Sequence, residues 1–433
     1  MPIEHLRYVD LFAGMGGIRL GLEQACHDAG IATTCVFTSE IKDSAIRVYK
    51  QNHPEDTITG DIKKVNAKEM PDFDVLLAGF PCQAFSYAGK GEGFADATRG
   101  TLFFDVLRIL KAKKPVGFIL ENVEGLVSHD EGRTFKTIIQ CLEENYKVTS
   151  RVLNAKDFGV PQDRKRIYIL GVKKNKKRVN LNDFPVVHST VGDILEQGLT
   201  LSNTPFSRNL LEHYTVEQLE GKKIKDKRGG ADNIHSWDLE IKGPVSAEQK
   251  TLLNEMLKAR RQHKWADDWK IDWMDGMPLT IRQIRTFYQH PHLQQMLNDL
   301  TEKGYVVYEH PKKKVTETKV VDGRTVTVSH REPDLTKPRG YNIVAGKLSF
   351  EVSEILSRDS IAPTLVAMDM HRIHVIDGEG IRKLSLREGL RLFGYPDDFV
   401  FEVKDNEGYD LLGNTVVVPV IKAVSSRLLN SII

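Results

Sequence analysis

One cysteine in this sequence stands where its side chain could act as a nucleophile. Cys82 lies in the stretch GFPCQAFSYAGKG (residues 79–91), directly after the apolar run VLLAGF. Pro81 fixes its own φ angle and biases Phe80 toward extended geometry, which stiffens the backbone before the thiol. The thiolate is the nucleophilic form of cysteine. Because no apolar periodicity places Cys82 inside a core, we predict a nucleophile here rather than a structural cysteine.

The remaining cysteines lie in apolar patterns that are typical of helices or strands. They are Cys26, Cys35 and Cys141. We expect these three to be small buried hydrophobic residues. Since no C-x-x-C pair occurs, the sequence predicts neither a zinc site nor a disulfide framework, and no other metal is expected.

Three charged residues have the chemistry to assist such a nucleophile. Glu121 ends the apolar run GFIL and is followed by Asn122. A carboxyl group at a dry strand end has its charged form disfavoured, so it can donate a proton. Arg164 and Arg166 are two residues apart, so a strand would point both to one face, where paired N–H donors bind a carbonyl or phosphate oxygen. The alternatives are a turn residue for Glu121 and a solvent-facing edge strand for the arginines.

A second group of residues has the spacing of a nucleoside-binding site. The stretch DLFAGMGGIRLG joins a strand to a helix through glycines that include Gly14 and Gly16, which lets a ligand approach the backbone closely. Glu40 ends the next strand, at the spacing of a carboxylate that binds ribose hydroxyls, and Asp61 could bind an amino group. The dinucleotide fingerprint requires glycine where Arg19 stands, so we predict a nucleoside-bearing cofactor without a clear pyrophosphate site. A tight turn with two capping acids is the alternative.

The elements that position these residues follow from the hydrophobic pattern. The first ~170 residues alternate short β-branched runs with longer amphipathic segments. The predicted strands are YVDLF, CVFTSE, VLLAGF, GFILENV and RIYILGV. This alternation predicts an α/β fold with a Rossmann-like, doubly wound and mostly parallel sheet. Ligands of such sheets bind at the carboxyl ends of the strands, where these candidate residues are expected.

The later part of the chain is basic, rich in turns and mixed in its pattern. Four runs concentrate positive charge: KKNKKR (173–178), GKKIKDKRGG (221–230), KARRQHKW (258–265) and HPKKK (310–314). Each run alone fits a solvated surface, but together they permit a surface that faces a polyanion. The segment TKVVDGRTVTV predicts a hairpin that turns at Asp322 and Gly323. We therefore predict a second, mixed domain.

Length and composition limit the class of protein. The chain has 433 residues, of which 40% are hydrophobic and 28% charged, with a net charge of +2. These values are typical of globular proteins with two or three domains. No run of about 18 apolar residues occurs, so no membrane helix is expected. The first residues lack a signal-peptide pattern, and we expect a cytoplasmic protein.

Several blocks in this order resemble the motif set of the DNA (cytosine-5) methyltransferases. They are DLFAGMGG, PCQAFS, ENV, QDRKR, RKLSLREGLRLFGYPDDF and GNTVVVPV. The resemblance covers roughly residues 7–172 and 360–430, and it implies the fold of an S-adenosylmethionine-dependent methyltransferase with a smaller, mixed target-recognition domain. The implied domains are a catalytic and cofactor-binding domain at 1–180, the target-recognition domain with a hinge at 181–400, and a C-terminal segment at 401–433 that returns to the first domain.

The resemblance also implies roles for individual residues. Cys82 corresponds to the nucleophile that attacks C6 of a flipped-out cytosine, and Glu121 to the residue at the N3 and amino edge. Arg166 corresponds to the residue at O2, with Arg164 in support. The positions that match cofactor contacts are Phe12, Gly14, Gly16, Glu40, Ile41, Asp61, Ile62, Pro81, Leu102, Asn414 and Val416. The candidate DNA contacts are Gln83, Ser86 and Arg99.

The leading hypothesis is therefore a sequence-specific DNA (cytosine-5) methyltransferase of a bacterium or phage. It would act as a monomer on double-stranded DNA of the nucleoid, convert S-adenosyl-L-methionine to S-adenosyl-L-homocysteine, and protect sites from a cognate restriction endonuclease. The alternative of the same fold is a transfer-RNA cytosine-5 methyltransferase, although the long region 173–357 favours DNA. A nicotinamide-dependent oxidoreductase would not require Cys82, Glu121 and the arginines together. A non-catalytic DNA-binding protein would not require the cysteine loop.

Overall fold

A computed structural model describes most of the chain. The described residues are 4–81, 102–226, 230, 232–272, 274, 276–321, 324–344, 350–367 and 369–433, and the side chains of 319–321 and 324–327 are not described. The chain divides into two compact units. Unit 1 consists of Met1–Leu199, Ser357–His371 and Lys383–Ile433, and unit 2 consists of Thr200–Leu356 and Arg372–Arg382.

The unit boundaries differ from the domain boundaries predicted from the sequence. Residues 181–199, 357–371 and 383–400, which we expected in the smaller domain, belong to unit 1. A hydrogen bond links the first and the last of these segments: the backbone N–H of Glu196 donates to the Glu388 carboxylate at 2.8 Å. Because the bond joins residues far apart in the chain, no local sequence pattern could have placed this boundary.

Seven strands among the described residues of unit 1 form one sheet. They are β1 (His5–Leu11), β2 (Ala32–Ser39), β3 (Ile58–Thr59), β4 (Val75–Gly79), β5 (Gly117–Val123), β6 (Tyr146–Asn154) and β7 (Lys165–Lys173). Their order across the sheet is β3-β2-β1-β4-β5-β7-β6. β1 pairs in parallel with β2 and β4, β2 with β3, and β4 with β5, whereas β7 is antiparallel to both of its neighbours. The predicted mostly parallel sheet is confirmed.

Amphipathic helices alternate with these strands. They are α1 (Gly17–Asp28), α2 (Asp43–Asn52), α3 (Leu102–Lys113) and α4 (Arg133–Glu143). In α1 the buried apolar residues Ile18, Leu22 and Ala25 recur at helical spacing and form one buried face. This alternation of short apolar strands and one-sided helices is the arrangement that the sequence pattern predicts.

Unit 2 mixes short helices with small sheets. Its helices are α5 (Pro205–His213), α6 (Val216–Leu219), α7 (Ala247–Ala259), α8 (Lys264–Trp269), α9 (Ile281–Ile284) and α10 (Leu293–Glu302). Its strands are β8 (Lys223–Ile224), β9 (Asn233–Ile234), β10 (Val306–Glu309), β11 (Lys312–Val321), β12 (Arg324–Pro333), β13 (Gly340–Ile343), β14 (Glu354–Leu356), β15 (Ile373–Asp377) and β16 (Gly380–Lys383). Among the described residues they form the sheets β16-β15-β14-β8-β9, β10-β13 and β11-β12.

Three tryptophans of unit 2 belong to its core. Trp237, Trp265 and Trp269 are buried with residues of α7, α10, β10 and β13 in one hydrophobic cluster. The predicted hairpin is present as β11 and β12, which pair antiparallel along their whole length. Its predicted turn residues, Asp322 and Gly323, lie outside the described residues.

The chain ends with helices that pack inside unit 1, namely α11 (Leu386–Leu392), α12 (Asp405–Asn414) and α13 (Val418–Ile432). Successive residues of β5 point to opposite faces of the sheet. A Cβ on Gly117 would lie 3.1 Å from Leu428 of α13. The next residue, Phe118, packs with Phe103 of α3 and Ile138 of α4. Helices therefore cover both faces, which confirms the doubly wound arrangement.

The last helices also form the most apolar long segment of the described chain. By length and composition alone, Asp405–Ile432 could cross a membrane, with a mean hydropathy of 1.3 in its most apolar stretch. However, 61% of that stretch is buried inside the protein. A core helix that packs against α1, as α13 does, meets the same criteria of length and composition.

Candidate functional site

The carboxyl ends of the central strands of unit 1 surround a cavity of about 520 Å³. The predicted cofactor residues that line it are Phe12, Gly14, Glu40, Ile41, Asp61, Ile62, Pro81, Leu102, Asn414 and Val416. The predicted catalytic residues Glu121, Arg164 and Arg166 line the same cavity. Gly16 does not line it; this residue precedes α1 with a φ of +85°, and a Cβ there would lie 3.3 Å from the Tyr49 ring. The structure thus brings together residues from the distant sequence blocks.

Hydrogen bonds link the glycine turn to Glu40 at the cavity wall. Gly14 has a φ of +56°, and its N–H donates to the Glu40 carboxylate at 2.8 Å. The other carboxylate oxygen of Glu40 accepts from the N–H groups of Ile41 at 2.7 Å and Lys42 at 2.8 Å. The N–H of Gly16 is also used, by a backbone carbonyl of the turn at 2.8 Å. Because these amides already have acceptors, the turn does not offer them to a pyrophosphate.

Asp61 has a similar double role. Its carboxylate accepts from the N–H of Lys63 at 3.0 Å and caps the short helical turn Ile62–Lys64. The alternative interpretation as a capping acid therefore describes Asp61, whereas Glu40 accepts from N–H groups before α2 and does not cap that helix. Both residues also line the cavity, so these backbone hydrogen bonds fix two carboxylates at its wall.

Arg19, which stands where a dinucleotide fingerprint has glycine, belongs to a buried polar network. Its Nη1 donates to the Tyr49 hydroxyl at 2.7 Å and to the Asp56 carboxylate. Its Nε donates to Glu23 at 2.9 Å. Glycine at this position would leave these partners without their buried donor, which would cost about 1–3 kcal/mol per unsatisfied group. The departure from the fingerprint is therefore structural.

Glu121 lies near the end of β5, opposite Gly79 at the end of β4. It is 8% exposed, and its Oε1 lies 3.3 Å from Nε of Arg166. Burial raises the pKa of the Glu121 carboxyl, while the positive charges of Arg166 and Arg164 oppose that rise. A carboxyl group in this position keeps its proton to a higher pH than an exposed glutamate does, and it has a cationic partner when the proton leaves.

Arg164 contacts backbone rather than the carboxylate. Its guanidinium donates to three carbonyl oxygens: Leu365 at 2.9 Å, Gly413 at 3.2 Å and Thr415 at 2.9 Å. Burial, together with the charge of Arg166, lowers the pKa of Arg164 to about 10. Arg164 is thus placed to connect the segments that form the cavity wall.

Asn122 is a positioning residue to which our sequence analysis gave no role. Its Nδ2 donates to the carbonyl of Phe80 at 2.7 Å, and its Oδ1 accepts from the N–H of Val123 at 2.8 Å. The side chain is buried, so it fixes the backbone that leads into Pro81. The residue type was the signal in the sequence that could have shown this role, because an asparagine amide can both donate to and accept from backbone groups.

Four predicted site residues lie outside the described part of the chain: Cys82, Gln83, Ser86 and Arg99. The described backbone stops at Pro81, which lines the cavity, so Cys82 is the next residue along the chain. Its predicted role, and those of the DNA contacts, remain predictions.

The other cysteines lack the surroundings of a nucleophile. Cys26 is buried, and burial raises the pKa of its thiol to about 11. Cys35 and Cys141 are half-buried rather than buried, which corrects our expectation, and burial raises the pKa of both thiols. Among the residues that the structure describes, no group of three or more His, Cys, Asp or Glu side chains could hold a metal ion.

Comparison with known families shows which family this protein belongs to. Residues 6–430 match the family model described as C-5 cytosine-specific DNA methylase. The chain belongs to the C-5 cytosine-specific DNA methylase family. Members of this family transfer a methyl group from S-adenosylmethionine to cytosine C5, so the enzyme class that the motifs implied is confirmed. Family membership also decides against the nicotinamide-dependent oxidoreductase and the non-catalytic DNA-binding protein.

Similar full-length proteins are named Type II methyltransferases. M.NlaIV of Neisseria lactamica is 55% identical over 438 residues, covering 99% of this chain and 100% of its own. M.NgoBV of Neisseria gonorrhoeae is 54% identical with the same coverage, 99% and 100%. M.HgiCI of Herpetosiphon aurantiacus is 40% identical and covers 98% of both chains. The similarity of this cytosine-5 methylase to these proteins therefore extends over nearly all of the chain.

A solved structure supports the fold. It is a putative DNA modification methyltransferase encoded within a prophage of E. coli. The match covers 98% of this chain and 99% of that one, with a TM-score of 0.51 and 19% sequence identity. At this identity the likeness shows the methyltransferase fold alone.

Proposed function

We propose that this C-5 methylase is the modification enzyme of a restriction–modification system, and that it flips a cytosine out of double-stranded DNA to methylate it. The observation that carries the proposal is that one cavity is lined both by the fixed carboxylates of Glu40 and Asp61 and by the Glu121–Arg166 pair. The names of the Type II relatives support the biological setting, in which methylation protects DNA from a cognate endonuclease.

The cavity suits S-adenosyl-L-methionine. The carboxylates of Glu40 and Asp61 can accept hydrogen bonds from the hydroxyl and amino groups of a nucleoside. Ile18, Ile41 and Ile62 contribute apolar side chains to the cavity wall. Ile41 is 71% exposed, so it leaves an apolar surface that an aromatic ring can cover. When bound, this donor supplies an electrophilic methyl group, and S-adenosyl-L-homocysteine remains. It carries no pyrophosphate, which agrees with a turn whose Gly14 and Gly16 N–H groups already have acceptors.

In the proposed mechanism, Cys82 as thiolate forms a bond to C6 of the flipped cytosine and makes C5 electron-rich. Glu121 holds a proton at the N3 edge of the ring during this attack. Arg166, within 3.3 Å of Glu121, binds the O2 atom through its N–H donors. Once C5 carries the methyl group, a base removes the C5 proton, and the C6–S bond breaks to restore the ring and release Cys82.

We assign the catalytic and cofactor-binding role to unit 1 and DNA binding to unit 2. Base flipping requires that the surrounding duplex be held while one base leaves the stack, at a cost of a few kcal/mol. The basic runs of the later sequence are suited to phosphate contacts. We propose that the enzyme acts as a monomer in the bacterial cytoplasm.

Methyl transfer with labelled donor tests this proposal. The protein is incubated with duplex DNA or with transfer RNA, and bisulfite sequencing locates the product. We expect label in DNA, as 5-methylcytosine at one defined site. Label in RNA alone would overturn the DNA assignment in favour of the transfer-RNA alternative.

The role of Cys82 is tested by Cys82→Ala. We expect methyl transfer to be abolished while donor affinity, measured by calorimetry, stays close to that of the wild type, because the thiol acts on the base and not on the donor. Cys141→Ala is the matched control and retains activity, since that residue lies on α4 outside the cavity. Full activity of Cys82→Ala would contradict the mechanism.

A further inference from the structure

A long β-hairpin in unit 2 changes character along its length. At its base, β10 and β13 pair antiparallel, and Val306, Tyr341 and Ile343 are buried in the hydrophobic core of the unit. The chain then continues into β11 and β12, which pair only with each other. Among the described side chains of β11 and β12, none is buried. The outer part of the hairpin, here called the ribbon (Lys312–Pro333), therefore adds nothing to the hydrophobic core.

Burial does not explain the length of this ribbon. Each of its strands has 10 residues, which corresponds to about 33 Å. A two-stranded hairpin without a core is only marginally stable in water. A partner that covers the ribbon would supply the contacts that the rest of the unit does not.

The strand register sorts the side chains into two faces, because directly opposed residues lie on the same side of the ribbon. The first, which we call the hydroxyl face, contains Lys312, Lys314, Thr316, Thr318, Ser329 and Arg331. The opposite side, the mixed face, contains Lys313, Val315, Glu317, Val328, His330 and Glu332. Described residues of the hydroxyl face thus include no carboxylate, whereas the mixed face has two.

The charges of the two faces differ accordingly. On the mixed face, Lys313 lies 3.5 Å from Glu332, and His330 lies 3.8 Å from Glu317. The Lys313–Glu332 pair neutralises the positive charge of Lys313, and Glu317 adds a negative charge to this face. On the hydroxyl face, Thr316 and Ser329 share a hydrogen bond at 3.2 Å. The charged side chains described on this face, Lys312, Lys314 and Arg331, are all positive, and Lys312 lies 3.9 Å from Glu309 at the base of the ribbon. A partner with negative charge therefore fits the hydroxyl face better than the mixed face.

We infer that the hydroxyl face of the ribbon binds in the major groove of the DNA target. This inference rests on the proposed function, because it assumes a duplex substrate. The major groove is about 12 Å wide and admits a two-stranded ribbon. Lysine and arginine at the groove edge contact phosphates, while serine and threonine hydroxyls donate to or accept from base edges, and threonine methyl groups contact thymine. A second copy of the chain is a poorer match, because two positive faces would repel each other.

Neighbouring lysines provide a matched test of the charged contacts. Lys314→Gln and Lys313→Gln each remove one positive charge from the same strand, but on opposite faces. Affinity is measured by fluorescence anisotropy for a duplex that carries the methylated site, over a range of salt concentrations. We expect Lys314→Gln to reduce the slope of log affinity against log salt by about one, the value for one lost phosphate contact. Lys313→Gln leaves that slope unchanged.

Isosteric variants test base reading. Thr316→Val with Thr318→Val removes two hydroxyls from the hydroxyl face without changing shape or strand propensity. We expect the preference for the methylated site over a scrambled duplex to fall about tenfold, the order of magnitude for lost base contacts. The control is Val315→Thr with Val328→Thr on the mixed face, which keeps the wild-type preference. Because none of these side chains lies in a core, unfolding temperatures should stay near that of the wild type.

The outcomes separate this inference from the proposed function. If the wild type places no label in DNA, the proposed function fails. If the wild type methylates one site but the variants of the hydroxyl face bind and discriminate like the wild type, the ribbon inference alone is overturned. Equal losses from both faces would also overturn it, because they would indicate general attraction to charge rather than a face in the groove.

Discussion

At the scale of single residues, the Glu121–Arg166 pair shows how the cavity prepares a carboxyl group for proton transfer. Burial disfavours the charged form of Glu121 and raises its pKa, and the two arginines limit that rise. The balance keeps the carboxyl group protonated to a higher pH while still allowing it to lose the proton. The same arginine that we place at the cytosine O2 thus also sets the proton affinity of its neighbour.

This balance predicts a shift in the pH profile of Arg166→Gln. Without that charge the pKa of Glu121 rises further, because desolvation is less opposed. Activity that requires protonated Glu121 is lost as the pH rises through its pKa, so the alkaline limb of kcat/KM moves to higher pH. Arg166→Lys keeps the charge and should keep the limb near the wild-type position, although both variants lose rate. An unchanged limb in Arg166→Gln would contradict the assignment of Glu121 as the proton donor.

At the scale of elements, the start of α1 determines how closely the helix approaches the cavity wall. A Cβ on Gly17 would clash with the Tyr395 hydroxyl and would lie 2.8 Å from Val416. That hydroxyl shares a hydrogen bond with Thr415 at 2.6 Å. Since Gly17, Thr415 and Val416 all line the cavity, the missing side chain allows the helix to pack directly against the wall.

Gly17→Ala therefore tests the link between packing and donor binding. The added methyl group must displace Tyr395 or Val416, and overpacking of this kind costs about 1–3 kcal/mol. We expect a lower unfolding temperature and weaker binding of S-adenosyl-L-methionine in calorimetry. Gly125→Ala is the control, because a Cβ there meets nothing within 4 Å. If Gly17→Ala bound S-adenosyl-L-methionine as tightly as the wild type does, donor binding would not depend on the close packing of α1 against the cavity wall.

At the scale of the whole molecule, sequence patterns predict what is local or periodic. The alternation of short strands and amphipathic helices was sufficient for the sheet of unit 1, and the family motifs indicated the cavity residues. The reversed direction of β7 was not readable, because RIYILGV has the same apolar pattern in either direction. The unit boundary depends on contacts such as Glu196 with Glu388, which only the folded chain brings together. Predicting the polar network around Arg19 and the positioning role of Asn122 would likewise have required knowledge of the folded chain.

Asp10 illustrates a property of the whole fold that the pattern YVDLF conceals. Its side chain is fully buried in β1, and neither carboxylate oxygen has a hydrogen-bond partner among the described residues. Burial raises the pKa of this carboxyl to about 8, although the charge of Arg19 opposes the rise. In the unfolded chain an aspartate has a pKa of about 4. Between these values the folded state keeps a proton that the unfolded state has released.

The free energy of unfolding should therefore fall as the pH rises from about 4 to 8, with a slope of up to ~1.4 kcal/mol per pH unit. Asp10→Asn removes this titration, so the variant gains stability relative to the wild type at pH 8 compared with pH 5. Urea unfolding followed by circular dichroism at both pH values measures the difference. Asp163→Asn provides a control whose stability difference from the wild type stays constant between pH 5 and pH 8. Hydrogen bonds from Asn154 and Lys156 lower the pKa of Asp163, so the stabilisation it provides is lost only as the pH falls below about 4. An equal difference in stability between Asp10→Asn and the wild type at both pH values would show that Asp10 does not keep its proton in the folded state.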